Sequence, residues 1–90
     1  MIAQLTGTLL ESTPTTAVVD VQGVGYEVQT PLSTQEKLPP LQHKVTLYTT
    51  LVVREDSMTL YGFASRQEKR FFETVVNSVK GFGPRLALAA

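Results

Sequence analysis

Apolar and polar residues alternate along most of the first 63 positions, and after Phe63 the period lengthens to that of a helix. Ile2 to Leu10 reads as a first strand, ended by the polar cluster Glu11-Ser12-Thr13-Pro14-Thr15. Ala17, Val19 and Val21 alternate with Val18, Asp20 and Gln22, which predicts a second strand with Asp20 turned to solvent. Gly23 makes the turn into a third strand, in which Val24, Tyr26 and Val28 face one way and Gly25, Glu27 and Gln29 the other. Ser33 with Glu36 three positions on has capping-box spacing, so a short helix is expected there, stopped by Pro39-Pro40. Val45, Leu47, Thr49 and Leu51 alternate with Thr46, Tyr48, Thr50 and Val52 as a fourth strand, and Met58 to Phe63 returns as a fifth. Between them Arg54-Glu55-Asp56-Ser57 forms a hairpin tip. The prediction is a mainly β domain with some α: a five-stranded, partly closed Greek-key barrel of the OB type, with a five-stranded SH3-like barrel sharing much the same strand count. Closure suits so small a core, because it removes exposed strand edges.

Beyond Phe63, Ser65 and Glu68 repeat the capping-box spacing, and Phe71, Phe72, Val75, Val76 and Val79 form an apolar stripe. Arg66, Lys69, Arg70 and Glu73 take the remaining face. Such a stripe is read as packing against the barrel or another helix, not as a ligand box. Lys80-Gly81-Phe82-Gly83-Pro84-Arg85 interrupts the helix, and Pro84 suits the first turn of a new one. Leu86-Ala87-Leu88-Ala89-Ala90 are strong helix formers without a cap, so the natural protein is expected to continue beyond them. The chain is therefore divided into a barrel domain, residues 1–63, and the opening of a truncated all-α domain, residues 64–90.

Ninety residues make one small domain, or one domain and the start of another. With no cysteine there is no disulfide framework and no thiolate metal site, which fits a reducing cytoplasm. The N-terminal residues hold neither a basic n-region nor a long apolar run, so no signal peptide or membrane span is expected. The zero net charge conceals an asymmetry. Residues 1–63 carry three cations against six acids, and residues 64–90 carry five cations against two acids, so the halves stand at −3 and +3. The C-terminal third is the part that would favour a polyanion.

Two features carry candidate chemistry. Helix, Gly-Phe-Gly and following helix make a helix-hairpin-helix signature. Its glycines would let a phosphate approach the backbone, its second helix would point N–H groups outward, and Lys80 and Arg85 flank the turn. Such a site reads backbone and shape, not base sequence; a plain helix-helix turn is the competing reading of Gly-x-Gly alone. The second feature is Glu55-Asp56. Asp is a good turn former, but a second acid beside it adds repulsion that folding does not require. The pair lacks the converging ligands of a metal site, and His43 has no partner at ligand spacing. Nor do two carboxylates at a wet turn have the contrasting environments that separate an acid from a base. With no nucleophile elbow or phosphate-binding P-loop either, no catalytic residue, metal or cofactor is expected, and the chain is not an enzyme by itself.

Val52-Val53-Arg54-Glu55-Asp56, then Leu60-Tyr61-Gly62-Phe63, then Gly81-Phe82-Gly83-Pro84-Arg85-Leu86-Ala87-Leu88-Ala89 resemble the RuvA family of Holliday-junction-binding subunits, and Gly23-Val24-Gly25-Tyr26-Glu27-Val28 matches it earlier in the chain. The resemblance covers essentially the whole sequence. It implies an N-terminal OB-fold domain followed by the first helix-hairpin-helix of a second domain, in a cytoplasmic, nucleoid-associated bacterial protein. It implies a homotetramer, sometimes paired face to face as an octamer, with a four-way DNA junction on its basic concave face. Glu55 and Asp56 would be the acidic pin that repels phosphates at the junction centre, and Lys80, Gly81, Gly83 and Arg85 the phosphate-gripping hairpin. Here Lys80 and Phe82 stand where a small or polar residue and a smaller aliphatic would be expected. ATP hydrolysis would belong to a partner motor, RuvB, with the RuvC resolvase as a further partner. A generic single-strand-binding OB module is the alternative, and it would need exposed aromatics and a basic groove on the barrel.

Overall fold

β1 (Gln4–Ser12) is the strand on which the architecture closes, because it pairs along both of its edges. One edge runs antiparallel to β2 (Thr16–Val21), from Thr8 opposite Asp20 to Ser12 opposite Ala17. The other runs antiparallel to β4 (Lys44–Val53), from Gln4 opposite Tyr48 to Thr8 opposite Lys44. The structure, a computed structural model, describes residues 1–78. Its remaining strands are β3 (Val24–Gln29) and β5 (Met58–Phe63), with α1 (Leu32–Gln35) between β3 and β4 and α2 (Arg66–Ser78) after β5. The strands close in the order β1-β2-β3-β5-β4, with β3 meeting β5 in parallel at Gln29 and Tyr61. That order, with a helix inserted between the third and fourth strands, is the OB arrangement, which decides against the SH3-like alternative.

Most side chains turned inward are those the alternation selects, but Val24, expected on the face of Tyr26 and Val28, lies at the β2–β3 turn and is 53% exposed. Leu5, Leu9, Ala17, Val19, Val28, Val45 and Leu47 form one buried cluster, with Tyr26, Leu38 and Leu60 packed at its margin. β1 reaches Ser12, two residues past the expected end, because a bulge between Leu9 and Glu11 absorbs one residue and lets pairing with β2 resume. The β2–β3 turn is a two-residue primed turn. Gln22 and Gly23 have φ of 52° and 91°, Val21 faces Val24, and the Asp20 carboxylate accepts the Gly23 N–H at 3.0 Å. Asp20 is thus half-buried and holds the turn in place of pointing freely into solvent.

α1 departs from the sequence reading. Its N-cap is Pro31, in extended conformation and with no side-chain cap, and the Pro31 carbonyl accepts the N–H groups of Thr34 and Gln35. Ser33 therefore lies inside the helix, and the Ser33/Glu36 capping box does not form. Proline already holds the φ that starts the turn, so no hydroxyl cap is needed and the Ser33 hydroxyl is free for another partner.

Ser65 caps α2, its Oγ accepting the Glu68 N–H at 3.2 Å, but only this half of the expected capping box forms, because the Glu68 carboxylate is taken by Ser33, Thr34 and Lys37. Its anchor is Phe72, 2% exposed, whose ring lies 4.9 Å from that of Tyr61 and 5.0 Å from that of Phe63. Val52, Val75 and Val76 flank this second cluster. Phe71 was expected in the same stripe, yet it is 55% exposed. One residue is 100° around a helix, so once Phe72 faces the barrel Phe71 is carried off the seam.

The polar face of α2 is also not simply solvated. Thr50 Oγ1 donates to Glu73 at 2.8 Å, Lys69 Nζ donates to the Ala3 carbonyl at 3.4 Å, and the Arg66 guanidinium lies 5.4 Å from the Tyr48 ring centroid. On the opposite side the Glu68 carboxylate receives Ser33 Oγ at 3.1 Å, Thr34 Oγ1 at 2.9 Å and Lys37 Nζ at 2.8 Å. Burial pushes the Glu68 carboxyl up, but the hydrogen bonds from Lys37, Thr34 and Ser33, with the Lys37 charge, outweigh it and hold its pKa below the usual 4.5.

Two expectations follow from these contacts. A Cβ at Gly7 would overlap the Asp20 backbone carbonyl and lie 3.0 Å from Val21 Cγ2, whereas one at Gly25 would meet only Val18 Cγ1 at an ordinary 3.6 Å. Gly7→Ala should therefore cost about 1–3 kcal/mol or more in urea unfolding, through forced backbone shifts, and Gly25→Ala clearly less. For Glu68, a depressed folded pKa means that its contribution is present above pH 4.5 and is lost as pH falls through the folded value. The stability advantage of the native chain over Glu68→Gln should accordingly be constant near neutrality and shrink in unfolding curves taken progressively below pH 4.5.

Candidate nucleic-acid interface

The β4–β5 hairpin is longer than the barrel requires. Ten residues of β4 span roughly 33 Å, and only Val45, Leu47 and Thr49, all among its first six, are buried. From Val53 to Met58 every residue is exposed, so the hairpin stands out from the barrel wall. Val53 faces Met58 at its last strand pair, and the Arg54 N–H donates to the Ser57 carbonyl at 2.7 Å. Glu55 and Asp56 are left at the apex. Among the described residues only Gln22, Gln42 and Gly23 have positive φ, so this tip is not a primed turn and has no need of glycine. The backbone can therefore carry two acids there without strain. Lys37–Glu68 is the one ion pair among the described residues, which leaves both apical carboxylates without a cation. The structure brings Glu55 and Asp56 together at an exposed hairpin tip, the turn expected from the sequence.

α2 runs beside this hairpin. Its first half borders an open groove of about 300 Å³ lined by Gln4, Tyr48, Arg66, Lys69 and Arg70. Its second half borders one of about 500 Å³, where Phe72 and Val76 meet Val52, Val53 and Arg54 at the foot of the projecting tip. The helix is thus directed from the middle of β4 towards the base of the acidic hairpin. Glu68 and Glu73, the acids of α2, are both held by barrel or α1 side chains, whereas Arg66 and Arg70 are exposed. The outward charge of the helix is positive although its sequence is mixed. Cations in a first turn oppose the helix dipole, so helix stability does not account for Arg66.

Lys80, Gly81, Gly83 and Arg85, together with Phe82 and Val79, lie outside the described residues. His43 is exposed at the entry to β4, and no group of three His, Cys, Asp or Glu among the described residues could hold a metal ion. No helix among them is long and apolar enough to cross a membrane. Thr34, Thr50, Glu68 and Glu73 are the residues that sequence reasoning missed. The available signal was the pair of threonines at inward or seam positions, since a buried hydroxyl needs a partner. The sequence does not say which acid supplies it.

A family model described as the RuvA N terminal domain matches residues 1–62. The chain is 48% identical over 89 residues to the Holliday junction branch migration complex subunit RuvA of Opitutus terrae, an alignment covering 99% of this chain and 44% of that protein. It is 53% identical over 89 residues to the RuvA of Halorhodospira halophila, covering 99% and 43%, and 49% identical over 89 residues to that of Pseudomonas fluorescens, covering 99% and 44%. The chain therefore spans less than half the length of these relatives. These matches, on a closed barrel of OB order, place the chain in the RuvA N-terminal domain family.

Proposed function

We propose that this chain is the N-terminal part of a non-catalytic, RuvA-type subunit that binds four-way DNA junctions without reading their sequence, in a branch-migration complex of recombination and repair. The observation that carries this reading is the unpaired Glu55-Asp56 apex, held out on a hairpin whose foot is reached by a helix with outward cations. Cations attract phosphates everywhere on a DNA surface, so attraction alone cannot favour a junction over a duplex. A localised repulsive element can: it penalises continuous duplex across the centre and tolerates the open crossover, where strands part. In a homotetramer, or two tetramers face to face, such tips would gather at one point.

In this proposal residues 1–63 are the barrel domain and residues 64–90 open a helix-hairpin-helix domain. Lys80, Gly81, Gly83 and Arg85 grip phosphates through backbone N–H groups and charge-assisted contacts. Support comes from α2, whose second half, as far as Val76, borders the groove at the hairpin foot. ATP hydrolysis belongs to the motor RuvB, engaged through segments of the longer relatives that this chain does not span, and RuvC is a further partner at the junction. The single-strand-binding alternative has less support. Tyr61 and Phe63 are buried and Tyr48 lies under Arg66, so the barrel offers no open aromatic platform of the kind that stacks bases.

Two measurements test the reading on the full-length protein. Affinity for a four-way junction should fall steeply and log-linearly between low and physiological salt, and a flat response would exclude phosphate-dominated binding. Glu55→Gln with Asp56→Asn should keep or strengthen junction binding while relaxing the preference over linear duplex in a competition gel-shift. Unchanged discrimination would remove the pin from the mechanism.

A further inference from the structure

The acidic tip stands on an apolar neck. Val53 and Met58 are the last cross-strand pair of the hairpin, 62% and 71% exposed, and among the described residues no other two exposed large apolar side chains are joined by a strand pairing. Arg54 and Ser57 form the hydrogen-bonded pair next to them, so Val53 and Met58 take the closely spaced kind of position, with their side chains side by side. Successive strand residues face opposite ways, and Val52 packs against the Phe72 cluster, so Val53 and Met58 share the other face with Leu51 and Leu60. Leu60 packs at the margin of the barrel core, and Leu51 is half-buried. One apolar ladder therefore leaves the core and emerges into solvent at the foot of the Glu55-Asp56 turn. Val53 also borders the groove beside α2, yet most of its surface stays open.

Neither folding nor repulsion accounts for this pair. Exposed side chains add little burial, and apolar ones on a projecting hairpin invite unwanted association. A tip that only repels phosphates would work as well on a polar neck. The charges around the patch limit what can cover it. Phosphates are kept away by Glu55 and Asp56, neither of which has a cation partner among the described residues. A second copy of the same tip would bring like charges into the same contact. An apolar face beside two acids suits an uncharged, flat partner. In DNA that partner is the face of a base, which neighbouring bases cover in continuous duplex and which comes free where strands part.

We infer that Val53 and Met58 form an apolar wedge that receives the face of an unstacked base at the junction crossover, while Glu55 and Asp56 keep backbone phosphates off the same tip. An apolar wedge of this kind can hold a base step open. Every base has such a face, so the contact favours the junction without reading its sequence. The hairpin then discriminates in two ways: repulsion excludes continuous duplex, and apolar contact stabilises the open strands. The two differ in their response to salt, which screens the first and leaves the second in place.

The inference rests on the proposed junction-binding role, and the test keeps the two apart. Dissociation constants for a four-way junction and for a linear duplex of equal length are measured at low and at physiological salt. The proteins are full-length wild type, Val53→Ser with Met58→Ser, and Val53→Ile with Met58→Leu. The junction carries 2-aminopurine beside the crossover, whose emission rises when the base leaves its stack. The serine variant is expected to weaken junction binding by about fivefold to tenfold and duplex binding by no more than about twofold, with the same loss of preference at both salts, and to lower the emission of the bound junction. The Ile/Leu variant keeps an apolar face and should keep both preference and emission. An unchanged preference, equal weakening on both DNAs, unaltered emission, or a loss of preference confined to low salt would overturn the inference. A change of oligomer size in light scattering of the serine variant would overturn it too, by making the pair a contact between copies. If the double variant does not fold, Met58→Ser decides alone: a reduced preference supports the wedge and an unchanged one refutes it. A wild type with no junction preference would overturn the functional reading itself, and the wedge with it.

Discussion

Everything in this fold depends on the close passage of β1 between two partners. A chain of this size has little core to offer, and an open five-stranded sheet would leave two edges unpaired. β1 removes them by pairing with β2 along its second half and β4 along its first, and at Gly7 the backbones come so near that no side chain fits. The bulge after Leu9 supplies the change of direction that closure demands. Only with the cylinder closed do Tyr61 and Phe63 form a fixed seat for Phe72, and only then does α2 have a defined direction. The glycine contributes no contact of its own; its value is the contact it permits between others.

Four acids show how one residue type is used in opposite ways. Glu68 and Glu73 spend their charge on hydroxyls and Lys37, at the seam where helix meets barrel. Glu55 and Asp56 have no such partner and sit at an exposed hairpin tip. Tying the first pair down has an electrostatic consequence, since it removes the helix's own counter-charges and leaves Arg66 and Arg70 to set its outward field. Folding thereby separates charges that the sequence interleaves. The −3 and +3 halves are a coarse image of that separation.

Strand positions were legible because a barrel wall has one wet face and one dry face, which writes a period of two into the residues. The inward sets Ala17/Val19, Val28 and Val45/Leu47/Thr49 fall where that period puts them, and β5 has the bounds expected from the sequence although Tyr61, Gly62 and Phe63 are buried in succession. The hairpin tip was legible for a related reason, as its acids have no local structural task. What was not legible was partnership at a distance. Ser33 and Glu36 have the spacing of a cap, but Pro31 starts the turn first and Ser33 is claimed by Glu68, 35 residues away. Phe71 and Phe72 are equivalent in a periodic pattern, and the width of the seat at Tyr61 and Phe63 chooses between them. Local spacing cannot encode the dimensions of a surface that exists only after closure.

The same reasoning shows why the helix is clamped by acids and threonines when apolar contacts were available. A seam made only of Phe72, Val75 and Val76 would hold α2 firmly yet leave its azimuth and tilt poorly specified, since many arrangements bury similar apolar area. Buried hydroxyls permit far fewer, because each left without a partner costs on the order of 1–3 kcal/mol. Thr34, fully buried with both its donor and its acceptor capacity filled, penalises most alternative placements of the first turn. Such a contact adds modestly to stability and heavily to uniqueness. For the helix this means one direction, set at its first turn by Thr34 and Glu68, and not merely one seat at Phe72.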